Sequence, residues 1–271
     1  MPITTDFHLH SEFSGDCSSP MEEMIEKAIF LGMSHLCFTE HMDPDYPTDT
    51  PDGLNFLLDT PAYYKKWKEF REKYKEKITL LFGVELGIQP HITQKLEDFV
   101  SSHNFDFIIA SSHLLYGEDP YYPDFFHNRS EEAVYTDYFK EIIHNINTFP
   151  HFDVYGHLDY IVRYGPNKDT RYSYEKYRDL FDHLLTALIQ KGKGLEVNTG
   201  GLKYGLRDLH PITDILKRYH SLGGEIITIG SDAHNPDYLQ HEFSRAEEVL
   251  KSCGFRYHTI FKNRKAEFIP L

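Results

Sequence analysis

Cysteine is scarce: Cys17, Cys37 and Cys253 are the only three in 271 residues. Three thiols make a poor disulfide framework and favour a reduced, cytoplasmic protein. No apolar stretch approaches the ~20 residues that a membrane span requires. The opening residues, Met1-Pro2-Ile3-Thr4-Thr5-Asp6, lack the basic and apolar segments of a secretory leader, so none is expected. Positive charge is also in short supply. Lys and Arg number 28 against 42 Asp and Glu, a formal net charge of −14. A chain this acidic is poorly equipped to grip a nucleic-acid backbone through its own side chains. Neither nucleic acid nor a membrane is therefore expected as a partner. A small phosphate-bearing molecule stays open, because bound divalent cations would reverse the local sign. Nothing in the sequence speaks to oligomeric state.

Hydrophobic residues make up 40% of the chain and aromatics 15%, enough for a substantial core. Residues 1–271 read as a single domain, without repeat, low-complexity tract or linker. Strand and helix signals alternate about seven times. Strands are expected near Ile3–His8, Leu36–Thr39, Leu80–Val84, Phe105–Ala110, Phe152–Tyr155, Gly194–Val197 and Glu225–Ile229. Tyr257–Phe261 is a possible eighth element. Ser19-Pro20-Met21-Glu22 reads as a helix start, with Ser19 as N-cap and Glu22 completing a capping box. Such alternation predicts a parallel sheet, and seven units favour a barrel over an open doubly wound sheet. Three long polar connections, Met42–Asp59, Leu114–Arg129 and Asp159–Arg171, should wall a pocket.

What the chain does have is histidine at strand ends. His8 and His10 lie two apart on a strand and so face one side. Glu40-His41, Ser112-His113, Gly156-His157 and Ser231-Asp232-Ala233-His234 each follow an apolar run. Glu85 closes Leu80-Leu81-Phe82-Gly83-Val84 with no basic neighbour in sequence. A carboxylate there is costly unless it is paired or metal-bound, and it is a residue type that can bridge two metals. Imidazoles and carboxylates converging from several strand ends are what a multinuclear metal site needs.

These motifs, with Asp16 following His8-x-His10, resemble the ordered motifs of the polymerase and histidinol phosphatase (PHP) superfamily. Thr39-Glu40-His41-Met42-Asp43 and Gly156-His157-Leu158-Asp159-Tyr160-Ile161-Val162-Arg163 look like its histidinol-phosphatase branch. The resemblance runs from residue 6 to residue 234. It implies an α/β fold, a distorted (βα)7 barrel with a metal site at the C-terminal strand ends. It also implies three divalent metals, Zn, Mn or Fe. His8, His10, Glu85 and Asp232 would hold one; Glu85, His113 and His157 the second; Asp16, His41 and His234 the third. Some relatives carry histidine where Asp16 stands, and an oxygen ligand there would shift preference towards Mn or Fe.

The activity implied is hydrolysis of L-histidinol phosphate to L-histidinol and phosphate, a step of histidine biosynthesis, by a metal-activated hydroxide. Glu85, Asp232 and His234 are the catalytic candidates within the metal set. Arg163 and Arg207 are candidates for stabilising charge on the phosphoryl oxygens, and Asn198 for a polar pocket contact. Glu12, Asp43 and Asp159 lie just beyond ligands and could attract the cationic end of the substrate. Other phosphatase chemistries lack their motifs: no cysteine is followed six residues later by arginine, there is no Arg-His-Gly, and no Gly-Lys-Ser/Thr phosphate loop. A PHP-type phosphodiesterase or nuclease is the enzyme alternative, disfavoured by the acidic charge and the lack of a basic, aromatic strip. A non-catalytic, metal-stabilised scaffold is the other.

Overall fold

The computed structural model describes residues 2–271. Seven parallel strands run in sequence order: β1 (Thr5–Asp6), β2 (His35–Met42), β3 (Thr79–Gly87), β4 (Phe107–Ser111), β5 (Val154–Tyr155), β6 (Gly194–Asn198) and β7 (Ile227–Gly230). β1 returns to β7 through Phe7 N–H to Ile229 O at 3.0 Å, Asp232 N–H to His8 O at 2.8 Å and a parallel bridge from Leu9 to Ala233. The result is a nearly closed, distorted (βα)7 barrel. Its helices are α1 (Met21–Phe30), α2 (Thr60–Tyr74), α3 (Thr93–Ser101), α4 (Glu131–Thr148), α5 (Arg178–Gln190), the short α6 (Gly200–Lys203), α7 (Thr213–Ser221) and α8 (Phe243–Cys253). Among the described residues no helix is long and apolar enough to cross a membrane.

Strand parity builds two layers. Leu36 and Phe38 of β2 and Leu80, Phe82 and Val84 of β3 join the large cluster beneath the helices. Cys37, Leu81, Phe107, Ile109 and Val154 fill the barrel interior with Phe7. Because side chains repeat every second residue, Glu85 shares the inward side of β3 with Leu81, two inward positions nearer the C-terminal end, past Gly83.

The tail is not an eighth barrel strand. β8 (Tyr257–Lys262) pairs antiparallel with β9 (Lys265–Pro270) in a separate hairpin. Ile260 and Phe261 complete the interior apolar cluster. Thr259 Oγ1 accepts from Ile227 N–H at 3.1 Å, and Arg264 Nε donates to Asp153 at 2.5 Å. The hairpin thereby stoppers the N-terminal end of the barrel, leaving the opposite end open for chemistry. The expected cap of α1 is also different. Ser19 donates its hydroxyl to His234 O, and the carboxylate of Glu12 accepts from Met21 N–H instead. Glu22 is drawn to Lys73 and Tyr74 on α2. Pro20 takes the N-cap position, and with no N–H of its own it leaves a capping-box glutamate nothing to accept.

Candidate metal centre and active site

Glu85 lies at the middle of the C-terminal face, fully buried. Its Oε1 accepts from Ser111 at 2.6 Å and stands 2.9 Å from His157 Nε2 and 3.1 Å from His113 Nε2. Its Oε2 stands 3.0 Å from His41 Nδ1, 3.2 Å from His8 Nε2 and 3.6 Å from His10 Nε2. One carboxylate thus presents each oxygen to a different set of imidazoles. Asp232 Oδ1 completes the His8–His10 side at 3.7 and 3.5 Å. Asp16 sits between His41 and His234, 3.7 Å from one Nε2 and 3.1 Å from the other. Asp232 has φ +54°, a left-handed conformation that Asp tolerates better than most residues.

A second tier of residues orients these rings. Glu196 Oε1 lies 2.6 Å from His8 Nδ1, Ser14 Oγ 2.9 Å from His10 Nδ1, and Asp43 Oδ1 2.7 Å from His113 Nδ1. In each case the Nε2 is left to face the centre. Glu40, next to His41, is not itself at the centre. It accepts from Ser11 and from Ser14 Oγ at 2.6 Å, tying down the loop that carries His10. Gly230 is required by this tier: a Cβ there would fall 2.3 Å from His8 Cβ and 2.5 Å from Glu196 Oε1.

The electrostatics follow from burial and neighbours. Burial alone would raise the Glu85 carboxyl, but His8, His113 and His41 outweigh it and hold it well below its ordinary value. Burial lowers His10 well below its ordinary value, with His41 and His234 adding to the effect. It is therefore neutral, the form that binds a metal. His113 is raised against its burial by Asp43 and Glu85.

The donor set fits divalent cations. His8 Nε2, His10 Nε2, His41 Nδ1, His234 Nε2 and Glu85 Oε2 are buried without a hydrogen-bond partner among the described residues. Ligand atoms within 4.8 Å of one another form the groups His8–His10–Asp232, His8–Glu85–His157, His41–Glu85–His113 and His10–His41–His234. Eight of the nine residues expected as ligands fall in these groups, and Asp16 reaches the centre through its contacts with His41 and His234. The groups interlock more than the expected sets, which shared only Glu85, because His8 and the stacked His10 and His41 rings, 4.2 Å apart, also belong to two groups each.

A cavity opens above this centre. Asp16, His41, His113, His157, Asp232 and His234 form its floor. Its walls come from the three long connections, through Asp43, Tyr46, Asp52, Leu54 and Phe56, through Asp119 and Tyr121, and through Tyr160, Arg163 and Tyr164, together with Tyr204 just after α6. Arg163 is 5% exposed, with its guanidinium 5.0 Å from the Tyr160 ring and 4.3 Å from the Tyr204 ring. Its Nη2 stands 3.5 Å from Asp232 Oδ2, and its Nε has no hydrogen-bond partner among the described residues.

Four expected contacts lie outside the cavity lining. Arg207 is exposed, its guanidinium held by the Asp169 carboxylate at 3.3 Å and main-chain oxygen at 2.8 Å. Glu12 is committed to the start of α1. Asp159 is buried against His210 Nδ1 at 2.5 Å and Ile212 N–H at 3.1 Å. Asn198 accepts from Gly200 N–H at 2.8 Å and contacts Glu196 behind the ligands. Asp43 does line the cavity, but one oxygen serves His113. Glu196 was missed. The signal was there: a carboxylate at an inward position of an apolar strand, the same argument that singled out Glu85. Asp119 and the wall tyrosines carry no comparable signal.

The PHP domain model matches residues 6–200. The histidinol-phosphatase of Lactococcus lactis subsp. lactis is 31% identical over 266 residues, covering 97% of this chain and 96% of that one. A probable histidinol-phosphatase of Clostridium acetobutylicum is 30% identical over 93% of this chain and 94% of its own. The crystal structure of the Lactococcus lactis histidinol phosphate phosphatase, in complex with Zn, L-histidinol and phosphate, superposes with a TM-score of 0.87 at 30% identity, covering 97% of this chain and 98% of that one.

Proposed function

The chain belongs to the PHP domain family, and from that premise we propose that it is a metal-dependent phosphomonoesterase that hydrolyses L-histidinol phosphate to L-histidinol and phosphate. The observation that carries this reading is Glu85, whose two oxygens divide between His113 and His157 on one side and His8, His10 and His41 on the other. The likeness to a relative solved with Zn, L-histidinol and phosphate supports it. We assign three ions of Zn, Mn or Fe to His8, His10, Asp16, His41, Glu85, His113, His157, Asp232 and His234. Divalent ions held there would supply Lewis acidity towards phosphoryl oxygens and make water acidic enough to ionise at neutral pH.

The protein's own groups do the rest. Asp43, Ser14 and Glu196 fix which nitrogen of His113, His10 and His8 faces the centre. Arg163 offers a planar guanidinium on the same side as Asp232, placed for phosphoryl oxygens as their charge builds. Tyr160 and Tyr204 sandwich that guanidinium, so little orientation remains to be lost when it binds. Asp43, Tyr46, Phe56 and Tyr160 are buried, and the low dielectric around them strengthens these interactions.

Elemental analysis of purified protein and a phosphate-release panel test the reading. We expect two to three metal equivalents, loss of activity on chelation, and kcat/KM for histidinol phosphate at least ~100-fold above glycerol phosphate and a nitrophenyl diester, roughly 2.7 kcal/mol of transition-state discrimination. Full activity in metal-free protein, or a diester as the better substrate, overturns it.

A further inference from the structure

The cavity lining includes a carboxylate that the phosphoryl chemistry does not use. This is Asp119, only 9% exposed. Its Oδ2 accepts from the Tyr46 hydroxyl at 2.8 Å and its Oδ1 from Tyr121 N–H at 2.8 Å. Both donors are neutral, so the carboxylate is oriented while its charge is left uncompensated. Each oxygen also keeps room for a further donor. A desolvated carboxylate in this state is costly and gains most from a cation. Burial pushes the Asp119 carboxyl above its ordinary value; His113 opposes that and Asp43 adds to it, which also places Asp119 within electrostatic reach of the metal end.

The other wall acids are differently employed. Asp43 serves His113, and the exposed Asp52 accepts from the Tyr122 hydroxyl at 2.8 Å. Aromatic rings share the cavity lining with Asp119: Tyr46, Phe56, Tyr121, Tyr160 and Tyr164. The Tyr46 ring packs edge-on against Phe56 at 4.5 Å, and Tyr160, 5.6 Å from the His113 ring, meets Tyr164 at 5.1 Å. A carboxylate among aromatic faces is the usual chemistry for capturing an organic cation.

Building on the phosphomonoesterase reading above, we propose that Asp119, held by Tyr46 and sharing the cavity lining with Tyr160, is the specificity residue that receives the positively charged nitrogen of the amino-alcohol. It would sort a cationic monoester from neutral ones while the metals and Arg163 handle the phosphate common to all.

The test uses the metal-loaded protein with Asp119→Asn, Asp119→Glu and Tyr46→Phe, each checked by circular dichroism and metal content. Steady-state kinetics are measured on histidinol phosphate, its des-amino analogue and p-nitrophenyl phosphate. We expect Asp119→Asn to lower the kcat/KM ratio of histidinol phosphate to p-nitrophenyl phosphate by about 30-fold or more, with the loss falling on KM. Tyr46→Phe should move the same ratio less, and Asp119→Glu should restore part of it. If the des-amino analogue feels the Asn substitution less than histidinol phosphate does, the amine is the group received; if it feels it equally, the imidazolium is. A ratio that stays within twofold in Asp119→Asn, or an equal fall on all three substrates, overturns the assignment while leaving the phosphatase reading intact. A wild-type protein that cleaves p-nitrophenyl phosphate without preferring histidinol phosphate overturns both.

Discussion

Glu196 Oε1 lies 2.6 Å from His8 Nδ1, although 188 residues separate them in the chain. The second Glu196 oxygen accepts from His157 N–H at 2.8 Å. One buried carboxylate therefore fixes the ring of one candidate ligand and the backbone of another. Partners of this kind set imidazole tautomer and basicity and typically contribute 10- to 100-fold in metal affinity.

Glu196→Gln should accordingly weaken metal retention by about 10- to 100-fold while circular dichroism stays near native. Competition with a chelator, followed by elemental analysis, reads this directly. Unchanged retention would mean that Glu196 only fills space.

Glu85→Gln keeps the shape of the side chain but removes the charge shared between the two sets of imidazoles. It should cut kcat by more than ~100-fold, beyond the range typical of a residue that only orients a ligand. His144, on the exposed face of α4, is the control, and His144→Gln should be nearly silent. Comparable turnover in the two variants would show the site to be misplaced.

Arg163→Ala should cost about 2–4 kcal/mol of transition-state stabilisation, a ~30- to 1000-fold fall in kcat. Arg207→Ala should change kcat less than about twofold, because that guanidinium is spent on Asp169. Equal effects from the two arginines would argue against a phosphoryl contact by Arg163.

His258 gives the hairpin stopper a pH dependence. It is buried on β8 with Nε2 3.1 Å from Thr5 Oγ1, and burial lowers its pKa to about 4. A depressed histidine pKa means that the unfolded chain takes up the proton first as pH falls. The stability linked to His258 is thus fully present above pH ~6.5 and is lost between there and about pH 4, by roughly 1–3 kcal/mol. Urea unfolding of wild type and His258→Gln at pH 7 and pH 5 measures it. The wild type should lose more stability than the variant over that interval, and parallel losses would remove His258 as the cause.

Much of the centre was legible in the sequence because strand chemistry is local. An apolar run ending in His or Glu places that residue at a strand's end, and His8-x-His10 puts two rings on one face by parity alone. Seven such units, each followed by a helical period, imply a parallel barrel, and parallel strands bring their C-terminal ends to one side. Eight of the nine candidate ligands and the three pocket-forming connections follow from those rules; Asp16, on the loop after His10, came only with the family resemblance.

Tertiary structure decided what each neighbouring charge is for. Glu12, Asp43 and Asp159 look alike in sequence, each a carboxylate two residues past a histidine. In space one caps α1, one orients His113 and lines the cavity, and one holds His210. Arg163 and Arg207 are likewise indistinguishable until one is seen buried between two tyrosines and the other exposed on Asp169. The tail reads as a strand in both views, yet only the apolar gap left among Phe7, Cys37, Leu81 and Phe107 makes it a stopper rather than an eighth stave. Periodicity reports which way a side chain points along its own element. The partner it meets depends on how the barrel closes, and that is set by pairings between residues far apart in the chain.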